Sequence, residues 1–296
     1  MHLYALIIEP FVSYGFMRRA LVACLALSLG SGPVGVFLVL RRMSLMGDAM
    51  SHAVLPGAAL GFLAAGLSLG AMSAGGLLVG LTVAILAGTV SRVTALKEDA
   101  SLAGFYLISL ALGVLIVSTK GSNIDLLHVL FGTILAVDNG ALVLMAGIST
   151  VSLLTLALIY RPLIIECFDP GFLRAVRGRG SLYHIIFLVL IVLNLVAGFQ
   201  ALGTLMAVGL MMLPAASARF WATQVWSLSL VATSIGFASG LLGLLFSYHF
   251  NLPSGPTIIL VAGVCYLASI LVGIRGGLLH RYFPRAHYHT PMGEQR

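Results

Sequence analysis

Asp48 and His52 are the residues of this sequence whose types and spacing best suit metal chemistry. They lie four residues apart in RRMSLMGDAMSHAVLPGAALG, residues 41–61, between two long apolar stretches. On a helix, side chains at i and i+4 share one face, with about 5–6 Å between their Cβ atoms. A carboxylate oxygen and a neutral imidazole on one face can bind a single cation, and this pair suits Zn²⁺ and tolerates Mn²⁺ or Fe²⁺.

A purely structural role for this pair is the main alternative. Asp48 could cap its helix or form an ion pair with Arg41 or Arg42. An aspartate near mid-membrane costs roughly 2.5–3.5 kcal/mol on insertion scales, however, so it is seldom placed there without a task. Two ligands do not complete a tetrahedral site. A second copy of the chain, water or a third side chain could supply the rest.

Methionines and histidines elsewhere in the chain raise weaker metal hypotheses. Met43, Met46 and Met50 follow helical spacing and could form a soft Cu⁺ site, although a methionine stripe more often packs in a core. His128 and His184 are isolated, so we expect structural or interfacial roles for them. Three further histidines lie in the basic tail, which spans residues 275–296: His280, His287 and His289.

The composition indicates a membrane protein. Of 296 residues, 60% are hydrophobic and 8% are charged, with a mean hydropathy of +1.09. Soluble domains are roughly 25% charged, so this chain cannot cover a water-soluble surface of its size. The net charge of +7 comes from basic residues in short connections, as the positive-inside bias explains, and it does not indicate nucleic acid binding. Three widely spaced cysteines predict neither a disulfide framework nor a thiolate metal site.

The elements that carry these residues are apolar stretches of membrane-spanning length. We predict an all-α, polytopic membrane protein with eight or nine transmembrane helices in a single domain, residues 1–296. Residues 182–220 could form two short crossings hinged near 198–203 or one long tilted helix. Residues 122–137 are too short to cross and could re-enter. The predicted spans are 19–40, 49–69, 73–95, 101–119, 138–160, 182–199, 201–220, 224–249 and 254–274.

Two segments flank or interrupt these spans in an informative way. Residues 1–18 are predicted to include an interfacial segment. Residues 161–180, RPLIIECFDPGFLRAVRGRG, form the one long polar connection and hold four arginines together with Glu166 and Asp169. The DPG turn signal followed by FLRAV predicts a short amphipathic helix on the cytoplasmic side. This loop could either set the orientation of the chain or dock a soluble partner.

Two motifs of catalysis are missing from the sequence. It contains no GxxxxGK[ST] phosphate-binding loop and no HExxH zinc-protease motif. We therefore predict that the chain is not an enzyme. Glycine pairs at Gly57–Gly61, Gly76–Gly80 and Gly236–Gly240 indicate close packing of helices instead, because small residues allow transmembrane backbones to approach one another.

Four segments together resemble a known family. They are residues 41–61, the run DLLHVLFGTILAV, the loop around FDPGFLRAV, and ALGTLMAVGLMMLPAASAR at 201–219. In this order they resemble the permease subunits of zinc/manganese-type ABC importers, the ABC-3 metal permease family. The resemblance implies a multi-pass protein of the bacterial cell (inner) membrane. It would take up a divalent metal through Asp48 and His52, with Zn²⁺ first, Mn²⁺ next and Fe²⁺ third, and would bind no permanent cofactor.

The same resemblance implies partners. The permease would be a homodimer in the lipid bilayer, with each copy bound to a cytoplasmic ABC ATPase and the pair receiving metal from an extracytoplasmic solute-binding protein. The family's coupling helix, which contacts the ATPase, corresponds here to Asp169, Gly171, Phe172, Leu173, Arg174 and Ala175.

Two other functions remain open at this stage. A proton-coupled secondary metal transporter is the first alternative, but such carriers often bury several mid-membrane carboxylates and this sequence offers few. A membrane scaffold or sensor is the second, and it does not account for an acid and an imidazole on one helical face.

Overall fold

The architecture is all-helical. In the computed structural model the described residues are 6–66, 68–119, 137–168 and 180–279, and no β-strand occurs among them. The helices, in chain order, are α1 (Glu9–Ser13), α2 (Gly15–Leu40), α3 (Ser44–Ala65), α4 (Leu69–Val93), α5 (Glu98–Thr119), α6 (Asn139–Phe168), α7 (Gly180–Leu202), α8 (Thr204–Ala218), α9 (Val225–Phe250) and α10 (Ser254–Val272).

Helices α2 to α10 correspond one by one to the nine predicted apolar stretches, which confirms the all-α polytopic fold. Seven of the described helices are long and apolar enough to cross a membrane, and α3 and α8 are not among them. Helix α3 has 22 residues, but Asp48, Ser51 and His52 lower its hydropathy. Helix α8 has 15 residues, which is about 22 Å at 1.5 Å per residue and shorter than a hydrocarbon core of about 30 Å.

A sharp reversal separates α7 from α8. Gly203 lies between them with φ 82°, in the left-handed region that favours glycine. A Cβ atom on Gly198 would lie 2.6 Å from the Cβ of Ala207. Residues nine positions apart can approach this closely only if the chain folds back, so residues 182–220 form two elements rather than one long helix.

Close glycine contacts hold α3 against α4. A Cβ atom on Gly57 would collide with the carbonyl of Gly75, and one on Gly61 would collide with the carbonyl of Ala71. Only glycine permits this approach, because the obstructing atoms are backbone. The Gly57–Gly61 pattern therefore marks a packing surface, as predicted from its spacing. Helices α2 and α7 are the most buried spans and lie at the centre of the bundle.

The polar connection begins later than the sequence suggests. Helix α6 continues to Phe168, so residues 161–168 extend a helix instead of forming a loop. The residues assigned to the coupling helix lie outside the described residues, as do His128 and the three tail histidines.

Candidate metal site

Asp48 and His52 lie side by side near the start of α3. Since α3 begins at Ser44, Asp48 is the fifth residue of the helix and His52 follows one turn later. The His52 Nε2 atom is 3.8 Å from the Asp48 Oδ1 atom. A cation at about 2.1 Å from each of these atoms would fit between them. The two side chains can therefore share one metal ion without a change in backbone.

Both side chains are open to the outside of the single chain. The side chain of Asp48 is 67% exposed and that of His52 is 33% exposed. A carboxylate exposed on the surface of an apolar bundle needs water, a cation or another chain beside it. Among the described residues, no group of three or more His, Cys, Asp or Glu side chains could hold a metal ion. The described part of one chain thus offers two ligands at this position.

Helix α5 positions the imidazole of His52. The Tyr106 ring stacks on it, with 6.4 Å between ring centroids and 29° between planes. One turn further, the Ser109 hydroxyl donates to the carbonyl of Ala53 at 3.1 Å. These contacts keep α5 alongside α3 and fix one face of the imidazole. Tyr106 gave no signal in the sequence, because an aromatic residue in an apolar run is ordinary membrane-helix composition.

The opposite face of α3 packs in the core. Met46 and Met50 are fully buried, and Met43 is nearly so. A Cβ atom on Gly47 would lie 2.9 Å from the Met211 Cε atom of α8, so the two helices are in close contact. Met43, Met46, Met50 and Met211 all belong to one hydrophobic cluster. Core packing therefore explains the methionine stripe.

The structural alternatives for Asp48 do not match its surroundings. The N-cap of α3 is Met43, and no side chain caps this helix. Arg41 pairs instead with Glu166, whose Oε1 atom is 3.0 Å from the Arg41 Nη2 atom. Within the described ranges, His52 is the one basic side chain at ion-pair distance from Asp48. Asp48 thus serves neither as a cap nor as the partner of Arg41.

Glu166 was assigned to the polar loop and instead lies buried at the end of α6. Its Oε1 atom also lies 3.7 Å from His184 Nδ1, and the side chains of both residues are almost fully buried. His184 is therefore a buried structural residue, as expected. The run PLIIE at residues 162–166 indicates this in the sequence, because it continues the apolar stretch of α6 as far as Glu166.

Comparison with known proteins agrees with this architecture. The family model described as the ABC 3 transport family matches residues 13–273. The manganese import system permease protein ScaB of Streptococcus parasanguinis is 36% identical over 265 residues, covering 90% of this chain and 93% of ScaB. The manganese transport system membrane protein MntC of Listeria innocua is 32% identical over 274 residues, covering 93% of this chain and 96% of MntC.

A solved structure shows the same arrangement of helices. PsaBC from Streptococcus pneumoniae, in complex with Fab, superposes with a TM-score of 0.81 at 32% identity, covering 93% of this chain and 98% of the matched chain. With seven helices able to cross a membrane, these likenesses make the chain a multi-pass bacterial inner-membrane protein. They also confirm the resemblance first seen in the four motifs: the chain belongs to the ABC 3 transport family.

Proposed function

We propose that this chain is the membrane-spanning permease subunit of an ATP-binding-cassette importer whose cargo is a divalent transition metal. The observation that carries the proposal is the pair of Asp48 Oδ1 and His52 Nε2 atoms, 3.8 Å apart on one face of α3. Membership of the ABC 3 transport family supports a role in transport. The pair would hold the transported ion briefly during its passage.

Manganese is the cargo we propose first. The sequence and its family resemblance place Zn²⁺ before Mn²⁺, with Fe²⁺ third. The names of ScaB and MntC both specify manganese, and neither supports zinc in particular. A carboxylate with one imidazole is also compatible with Mn²⁺. We therefore place Mn²⁺ first and keep Zn²⁺ as the competing cargo.

The partners that we propose are a second permease copy, an ATPase subunit and a solute-binding protein. Two ligands leave the coordination shell of a metal incomplete, and the high exposure of Asp48 leaves room for water or a second permease copy to complete it. The sequence contains no GxxxxGK[ST] motif, so energy would come from a separate ATPase subunit docked at Asp169 and residues 171–175. A solute-binding protein would deliver the ion from outside the membrane.

Transport would require two arrangements of the site with different affinities for the ion. Closure of the ATPase subunits would move the docked residues and turn the Asp48–His52 site from one side of the membrane to the other. Such a rigid-body change moves cargo only if the two states bind it with different free energies.

Uptake of radioactive manganese by proteoliposomes that contain the complete importer tests the proposal. Loss of outer-shell partners of a metal typically costs 10–100-fold, so loss of a ligand in Asp48→Ala or His52→Ala should lower uptake by about 100-fold or more. Asp99→Ala and His249→Ala are matched controls, since they remove the same side-chain types from the start of α5 and the end of α9, and uptake should persist in them. Wild-type uptake by both site variants would refute the proposal.

The same vesicles separate the proposal from a proton-coupled carrier. An importer of the proposed kind needs internal ATP and the ATPase subunit, whereas a carrier transports in their absence when a pH gradient is imposed. Uptake that follows the gradient and ignores ATP would favour the carrier.

A further inference from the structure

A buried ionic cluster joins three chain segments near the start of α3. Arg41 is the C-cap of α2, Glu166 lies in the last turn of α6, and His184 lies in the second turn of α7. The Glu166 Oε1 atom accepts a hydrogen bond from Arg41 Nη2 at 3.0 Å and lies 3.7 Å from His184 Nδ1. One carboxylate oxygen therefore connects the ends of three helices.

The cluster is shielded from water. The side chains of Glu166 and His184 are 6% and 4% exposed, and that of Arg41 is 11% exposed. The Arg41 guanidinium also lies over the ring of Phe187, 5.2 Å from its centroid. Arg41 is thus held by α6 through its charge and by α7 through an aromatic face.

Stability alone is a poor explanation for such a cluster. Well-packed apolar residues often stabilise a protein as much as a buried ion pair or more, whereas removal of one partner leaves an uncompensated charge. The pair therefore ties the segments that carry its members to one another, because separating them would leave a buried charge unpaired. Arg41 Nη1 and Glu166 Oε2 are buried without a hydrogen-bond partner in the described part of the chain. In a second arrangement of the cluster, Nη1 can therefore donate another hydrogen bond and Oε2 can accept one.

The position of the cluster relates it to the metal site. Glu166 lies three residues before Asp169 and His184 lies five residues after position 179, so they bracket the segment proposed to contact the ATPase. On the other side, Arg41 begins the corner between α2 and α3, where Arg42 has a left-handed φ of 57°. Asp48 follows seven residues after Arg41. A displacement of the end of α6 would reach the start of α3 through one hydrogen bond.

We infer that the Arg41–Glu166–His184 cluster transmits movement of the ATPase-contacting segment to the metal-binding helix α3, with Glu166 as a positioning residue. The inference rests on the proposed function, because it requires residues 169–179 to receive force from an ATPase. It adds a specific route from that segment to Asp48 and His52. Glu166 touches neither cargo nor nucleotide, so its contribution is to coupling.

The test compares ATP hydrolysed with manganese transported by the complete importer in proteoliposomes. Glu166→Gln keeps the shape of the side chain and removes the charge that binds Arg41. We expect manganese binding and ATP hydrolysis within about twofold of wild type, while uptake falls about tenfold, within the 5–150-fold range of typical coupling between sites. A variant with a purely structural defect would lose hydrolysis and uptake by the same factor, and that result would overturn the inference.

Two further variants sharpen the result. Asp99→Asn removes an exposed acidic charge that lines the same cavity of about 330 Å³ as Arg41 and Glu166, and it should keep the wild-type ratio. Arg41→Lys keeps the positive charge and loses the planar guanidinium over Phe187, so it should raise the ATP-to-manganese ratio about threefold. If Glu166→Gln does not assemble with its partners, Arg41→Lys decides the question, and an unchanged ratio in that variant overturns the inference.

Failure of the proposed function and failure of the coupling inference would be seen in different variants. Failure of the proposed function would be seen as wild-type uptake in Asp48→Ala, a variant that leaves the ionic cluster intact. Failure of the coupling inference would be seen as a wild-type ratio in the Glu166 and Arg41 variants while Asp48→Ala still abolishes uptake.

Discussion

Gly113 and Gly104 lie on the same helix, α5, in opposite surroundings, so replacing each with alanine isolates the contact between α5 and α3. A Cβ atom on Gly113 would lie 2.8 Å, 3.0 Å and 3.1 Å from the Cγ, Cβ and Cα atoms of Pro56. A Cβ atom on Gly104 would meet no atom within 4 Å. The proline ring cannot rotate away, so in Gly113→Ala the helices themselves must separate.

The expected difference in stability follows from two opposing contributions. Each substitution replaces glycine in a helix and gains up to about 1 kcal/mol of helix propensity. Gly113→Ala also overpacks the α3–α5 contact, which costs about 1–3 kcal/mol. The two variants should therefore differ by about 1–3 kcal/mol in the free energy of unfolding. Each kcal/mol corresponds to about 2–4 °C in Tm for large domains.

Thermal unfolding of the purified variants in detergent, followed by circular dichroism, measures this difference. We also expect lower manganese uptake from Gly113→Ala alone, because the same displacement of α5 moves Tyr106 away from the imidazole of His52. Equal melting temperatures for the two variants would refute the close approach of Pro56 to Gly113. Equal melting temperatures with unequal uptake would leave no packing explanation for the loss of transport.

Three further predictions concern the bundle and the site. Gly203→Ala should lower the free energy of unfolding by about 1–2 kcal/mol, because φ is 82° at this position, and an unchanged Tm would contradict the sharp reversal before α8. Asn194→Leu should keep the free energy of unfolding within about 1 kcal/mol of wild type, since the buried Asn194 Oδ1 atom has no partner among the described residues and leucine has the same branching. A decrease of more than about 2 kcal/mol in the free energy of chemical unfolding would show that the hydrogen bonds from the amide to Ser152 and Leu190 matter more. In the purified permease, Zn²⁺ should displace Mn²⁺ from Asp48 and His52, because most nitrogen and oxygen sites bind zinc more tightly than manganese. Retention of manganese against equimolar zinc in equilibrium dialysis would contradict that ligand set.

Local sequence was sufficient for the helices and for the juxtaposition of Asp48 with His52. Within lipid, a backbone without water must satisfy its polar groups internally, so a long apolar stretch predicts a helix with little ambiguity. Once α3 is helical, residues four positions apart share a face whatever surrounds them. The glycine pair of Gly57 and Gly61 likewise marked a packing surface through its spacing alone.

Contacts between distant parts of the chain came only from the tertiary structure. Arg41 and Glu166 are 125 residues apart, and no periodicity in either segment records their pairing. The stacking of Tyr106 on His52 and the burial of the methionine stripe against α8 also depend on which helices become neighbours. The sequence alone thus determined which residues could bind a metal. The packing of the bundle decided what holds those residues in place, because neighbouring helices in lipid are chosen by the fit of their surfaces, which hydropathy does not encode.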